Sequence, residues 1–154
     1  MKVIHWIAAA AAFAFVQPAQ AAQTDPEVII YRFPGVRDDG GAIGVGVATV
    51  FHCTNFSGVT ENIRFVTRGS AGGLLTNHLV AIFHLQTRTL STHTANPYND
   101  ESMGTGFVGQ GTTAIAATSI NIICTAMTID AANTKPVGVA LRGIRFSPVP
   151  GSQE

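Results

Sequence analysis

Few side chains of this sequence are of a type and spacing to do chemistry, and the two cysteines lead them. Cys53 and Cys124 lie 71 residues apart, each inside an apolar run that reads as a strand. In an oxidising compartment such a pair closes into a disulfide. Closing a loop of that length removes roughly 4.4 kcal/mol of entropy from the unfolded chain in the loop-closure picture. The thiols therefore point to a covalent pin, not to a nucleophile or a metal ligand.

Beyond the first residues the histidines are His52, His78, His84 and His93. Imidazoles hold zinc or copper when they recur at ligand spacing, and here neither H-x-H nor H-E-x-x-H occurs. On one straight strand His78 and His84 would share a face yet stand about 20 Å apart. Oxygen donors are denser in the polar loop 95–103, where Asn99, Asp100 and Glu101 are the candidate ligands of a Ca²⁺-type site, although the D-x-[DN]-x-[DN]-G order is missing. Asp38-Asp39 reads more simply as part of a turn.

Gly104-Thr105-Gly106-Phe107-Val108-Gly109 matches G-x-G-x-x-G, and Asp130 follows downstream. A dinucleotide site needs a strand before those glycines and a helix after them. A polar loop precedes them here and Gln110-Gly111 follows, so the motif reads as loop or edge strand and no cofactor is expected. Ser57, Ser70 and Ser102 lack the G-x-S-x-G elbow, which leaves no catalytic residue to name. Carboxylate pairs for glycoside hydrolysis meet in space, not in sequence, and keep a small secreted hydrolase open as an alternative. Asn55-Phe56-Ser57 is an N-glycosylation sequon that stays unassigned, because the export signal does not fix the type of cell.

The elements that must position these residues follow from patterning. Val28 to Phe33 is a β-branched run closed by Pro34-Gly35. Residues 37–41 carry hairpin-turn chemistry. From Ile43 to Cys53 bulky and small residues alternate, with Gly44, Gly46 and Ala48 forming a lean face that invites close approach. Ile63, Phe65 and Thr67 alternate with Arg64, Val66 and Arg68 up to the glycine cluster at 69–73. Leu79 to Leu85 and Thr87 to Thr94 form one bent strand or two. Thr112 to Thr118 is either a helical turn or a strand start. Ile120 to Met127 is a strand buried on at least one face, and the last strand begins at Val137 and ends near Phe146, with its uncharged part Val137 to Leu141 the expected sheet edge.

Seven to eight strands with turn signals about every ten residues predict an all-β fold, an antiparallel two-sheet sandwich, with a jelly roll as the alternative. The cysteine spacing resembles the inter-sheet bridge between the second and sixth strands of immunoglobulin domains. That resemblance covers the spacing and the strand count, while Ile122 stands where a tyrosine corner has its Tyr. It implies a bridge joining the two sheets.

Lys2, the apolar run Ile7 to Val16, the break at Pro18 and Ala19-Gln20-Ala21 form an export signal over 1–21, followed by a single secreted domain over 22–154. The apolar run is too short to span a bilayer, which needs about 20 residues. Without Lys2 the basic residues are scattered and nearly balance the acidic ones, which excludes a nucleic-acid surface, and no membrane insertion is expected after signal removal. The expected function is a non-catalytic binding or structural domain of a cell-surface or periplasmic assembly, partnered by itself or by another exported protein. A carbohydrate-binding module is the other alternative. Such modules usually stack sugars on exposed aromatics, and the absence of tryptophan beyond residue 21 leaves only Tyr31, Tyr98 and phenylalanines for that role.

Overall fold

The computed structural model describes residues 28–146, so the export signal over 1–21 lies outside the described residues. The strands are β1 (Val28–Asp38), β2 (Val47–Asn55), β3 (Glu61–Gly69), β4 (Leu74–Ile82), β5 (Thr87–Ser91), β6 (Glu101–Ser102), β7 (Val108–Ala117), β8 (Ile122–Asp130), β9 (Gly138–Leu141) and β10 (Ile144–Arg145). They form two packed sheets, β10-β1-β7-β3-β4 (sheet A) and β6-β5-β2-β8-β9 (sheet B). All pairs are antiparallel except the short β5–β6 pair. The expected all-β two-sheet sandwich is present. The strands beyond the expected count are the two-residue β6 and β10, too short to leave a periodic signal.

Alternation decides which side chains enter the core. Ile63, Phe65 and Thr67 of β3 point inward while Asn62, Arg64 and Val66 point out. In β2 the inward set includes Phe51 and Cys53, with His52 and Thr54 on the outer face. Phe51 of sheet B lies between two phenylalanines of sheet A, with ring centroids 5.7 Å from Phe33 and 5.8 Å from Phe65. Burial of these rings, with Ile115 and Leu90 around them, is the main force holding sheet to sheet.

The disulfide does something else. Cys53 and Cys124 are bonded, and they are directly opposite each other on the neighbouring strands β2 and β8 of the same sheet, with Cα atoms 4.2 Å apart. The expected inter-sheet bridge is therefore corrected to a cross-strand bridge within sheet B. Alternation places both thiols on the core face, and that holds equally for facing sheets and for adjacent strands. The close Cα separation suits a pair without mutual backbone bonds, where opposite side chains come nearest.

Several boundaries also differ from the patterning. β1 runs on through Pro34-Gly35 to Asp38, absorbing the irregularity in register shifts at Pro34/Val36 and Val36/Asp38. Residues 37–41 open no hairpin, because β1 and β2 belong to different sheets and the segment 39–46 crosses between them. Strand β2 starts only at Val47, and Gly44 and Gly46 before it take φ of +66° and +78°, outside the extended region of a regular strand. Leu79–Leu85 and Thr87–Thr94 contribute to two strands in opposite sheets. Residues 112–117 belong to β7, the central strand of sheet A. The C-terminal run divides into β9, the edge of sheet B, and β10, the edge of sheet A, where Phe146 N–H returns to the Ile30 carbonyl at 2.8 Å.

Candidate functional site

The loop 95–103 folds back over the outer face of sheet B. Ala95 and Tyr98 pack on Ala48, Val50, Met127 and Ile129, building a small second core outside the main one. The Asn96 amide donates to the Ala131 carbonyl at 2.9 Å, and the Tyr98 ring lies edge-on to His52 at 4.7 Å. Burial of His52 between that ring and the sheet pushes its imidazole below its ordinary pKa.

This fold-back sets Asn99, Asp100 and Glu101 beside β5. Together with Gln86, Thr87, Arg88 and Thr89 they line a polar cleft of about 290 Å³. Glu101 is held at both oxygens: Oε1 lies 2.8 Å from His78 Nε2, and Oε2 accepts from the Arg88 guanidinium. Asp100 Oδ2 accepts from the Ser91 hydroxyl and from the Ala95 amide at 3.0 Å. Its Oδ1 is buried and has no partner among the described residues. The candidate cation ligands thus gather at one cleft, but Arg88 already occupies Glu101.

A second cluster escaped the sequence reading. Asp38, Asp39 and His93 bring their ligand atoms within 4.8 Å of one another. Asp38 is buried, accepting from the Gly40 amide at 2.7 Å and facing His93 Nδ1 at 2.7 Å. His93 Nε2 meets the Val45 carbonyl at 3.0 Å. The Val47 amide, donating to Asp39 at 2.8 Å, holds that carboxyl below the ordinary carboxylate value, and the Gly41 amide and His93 act in the same direction against a smaller desolvation effect. Every polar atom of this trio has a protein partner, so the network fastens the sheet-crossing segment 39–46 onto the end of β5. Gly44 and Gly46 serve the same packing: a Cβ on either would collide with the Asn96 side chain or the Asp39 carboxylate. The lean face is occupied by the protein's own loops. Asp38-Asp39 gave the only local signal, and His93 lies too far along the chain to be paired with it.

At the pole where β2, β4 and β7 end, three loops are bonded to one another. Phe56 N–H donates to Asn121 O at 2.8 Å, Leu85 N–H to Asn55 O at 2.7 Å, and Gly58 N–H to His84 Nδ1 at 3.0 Å. Asn55 organises them from inside, donating its amide to the Val59 and Ile82 carbonyls and accepting from the Ser57 amide. With both Nδ2 hydrogens donated and the side chain fully buried, Asn55 offers no acceptor nitrogen for a glycan in the folded protein. On this frame Phe56, Val59, Phe83 and Leu85 stand 50–64% exposed, with Ile120 and Ile123 nearby. Leu85 takes φ of +61°, a left-handed conformation that a branched side chain rarely adopts.

The remaining sequence candidates fall apart in space. His78 is on β4 and His84 in the loop after it, bonded to different partners. The glycine motif 104–109 leads into strand β7, and no helix occurs among the described residues to receive a phosphate. None is therefore long and apolar enough to cross a membrane. No protein-family model and no curated protein matches the chain. Among solved structures it is similar to the crystal structure of Thermotoga maritima 1070, at 11% identity and a TM-score of 0.45, over 75% of this chain and 95% of that one. A likeness at that level bears on neither fold nor function.

Proposed function

We propose that this protein is an exported, non-catalytic binding domain of a cell-surface or periplasmic assembly, and that it docks a protein partner through the apolar pole. Export rests on the signal pattern over residues 1–21 and fits the Cys53–Cys124 disulfide. The observation that carries docking is Leu85, 64% exposed and held at positive φ. A left-handed leucine costs about 1–2 kcal/mol, and its side chain recovers nothing from the core. Strain kept at an exposed apolar tip, beside Phe83 and Phe56 on mutually bonded loops, is what a preformed contact surface requires.

Two measurements test this together. Leu85→Gly removes the strain, and it should raise stability to urea by about 0.5–1 kcal/mol while weakening partner capture. A photo-crosslinking side chain at position 83, in the exporting cell, should give one discrete adduct that Phe56→Ser and Leu85→Gly each reduce. A folded, exported protein giving no adduct from the pole overturns the reading.

A second reading has its own support. Strand β9 is the edge of sheet B, carries no charge, and exposes 72% of Val139, with Val137 standing open just before it. Such an edge pairs with another copy unless a charge blocks it. Salt-insensitive oligomers in sedimentation velocity that vanish in Val139→Lys support self-pairing, and a monomer at low and high salt and at high concentration counts against it.

A further inference from the structure

We propose that the cleft between β5 and residues 99–101 binds a neutral, polyhydroxylated ligand, a monosaccharide or the end of a glycan. Gln86 touches both places, since its side chain accepts from the Phe83 amide of the apolar pole, so the variant at Asn99 is the one that separates this proposal from the docking proposal.

The cleft's charges select against ions of either sign. Asp100 and Glu101 repel an anion. A cation is disfavoured because the Arg88 guanidinium sits on Glu101, whose other oxygen faces His78. What remains unused is a mixed set of single donors and acceptors. Asp100 Oδ1 is buried away from solvent and takes no part in that set. Gln86 accepts from the Phe83 amide through Oε1, leaving its NH₂ group to donate. Asn99 makes no side-chain bond among the described residues, so it offers both an acceptor and donors. Thr87 and Thr89 each spend one bond, to Thr54 at 2.8 Å and to His52 at 3.0 Å, and keep further capacity.

A sugar hydroxyl both donates and accepts, so an array of alternating unspent donors and acceptors fits it. The volume of about 290 Å³ lies at the small end of ligand sites, room for about one or two rings. No aromatic residue lines the cleft. Recognition therefore runs through in-plane hydrogen bonds to hydroxyls, not through ring stacking, which favours a short soluble ligand over the flat face of a polysaccharide chain.

The test is an amide chemical-shift titration of the folded, disulfide-bonded domain. The probes are glucose, galactose, mannose, N-acetylglucosamine and their disaccharides, with calcium chloride and sodium phosphate run in parallel. The expected result is saturable shifts of the amides at 86–89 and 99–101 with at least one sugar. Asn99→Ala should weaken that sugar about tenfold with the rest of the spectrum unchanged, and Gln86→Ala should weaken it likewise while also shifting the amides of residues 83–86, because it removes the acceptor of the Phe83 N–H. Saturable shifts there with calcium or phosphate but no sugar would make this an ion site and overturn the proposal. Silence toward every sugar up to its solubility overturns it as well.

Discussion

His78 on β4 and Glu101 on β6 meet at 2.8 Å, and those are the edge strands of opposite sheets. The contact closes one long side of the sandwich, reinforced by the Thr76 hydroxyl donating to the Met103 carbonyl at 3.2 Å. Both side chains are partly exposed, so water and salt screen the contact and the neighbouring Arg88–Glu101 ion pair. Removing Glu101 as Glu101→Ala should lower stability by only about 1 kcal/mol, and added salt should shrink the difference. Urea midpoints with and without salt measure this. A salt-independent loss of several kcal/mol would mean that Glu101 supports packing, not charge.

Asn55 is the costlier polar residue to lose. Asn55→Ala removes the side-chain partner of the Ile82 carbonyl and of the Ser57 amide, and leaves the Val59 carbonyl with the Ser57 hydroxyl as its side-chain donor. Each such group costs about 1–3 kcal/mol, though partial access of water to the loops limits the sum to about 3. Equilibrium unfolding should show that loss, and proteolysis should shift to the pole loops.

Stability should also fall at mildly acidic pH through His52. Burial lowers its folded-state pKa below the unfolded value of 6.5. The unfolded chain therefore takes up the proton first as pH drops. The contribution of neutral His52 is complete above 6.5 and is lost progressively as pH falls from there through the lower folded value. His52→Gln should flatten that part of the stability profile in melting experiments. An unchanged slope would assign the acid sensitivity to another group.

Reduction of the disulfide removes the restraint on the unfolded chain. The loop-closure picture gives a loss of up to about 4 kcal/mol for this pair, a large share of the roughly 5–15 kcal/mol available to a typical domain. Denaturant unfolding with and without reductant measures it, and thiol titration of the unreduced, denatured protein should find no free sulfhydryl. Two free thiols per chain would remove the bridge from the description.

What the sequence makes legible is the face of each strand. Alternation in β2, β3 and β8 puts Phe51, Phe65 and Cys124 inward, and they are inward. It does not say which sheet receives a strand. Aspartate and glycine at 38–41 serve a sheet crossing as well as a hairpin, because both need tight turns and self-capped backbone. Hence the disulfide could be placed on the core face but not within or between sheets. The polar segment 99–101 was legible as a source of ligand oxygens, whereas Arg88 and His78, which claim Glu101, arrive from other strands. Leu85 gave no warning, since leucine is not a turn residue and its backbone conformation is imposed by the neighbouring loops. Asn55 was legible only as a sequon, and burial turned it into a structural amide.

The shared pole of β1's start and β10's end has a mechanical consequence. The described chain enters beside Val28 and leaves beside Phe146, whose amide is bonded to Ile30. Tension applied at those two points would peel β10 away from β1 one hydrogen bond at a time instead of shearing the strands together, so the first rupture comes at low force. Extension then stops short, because the covalent link between Cys53 and Cys124 withholds 71 residues, about 25 nm of contour. Stretched in series with other domains, this one would yield early, lengthen little, and keep β3, β4, β5, β6 and β7 within a closed loop.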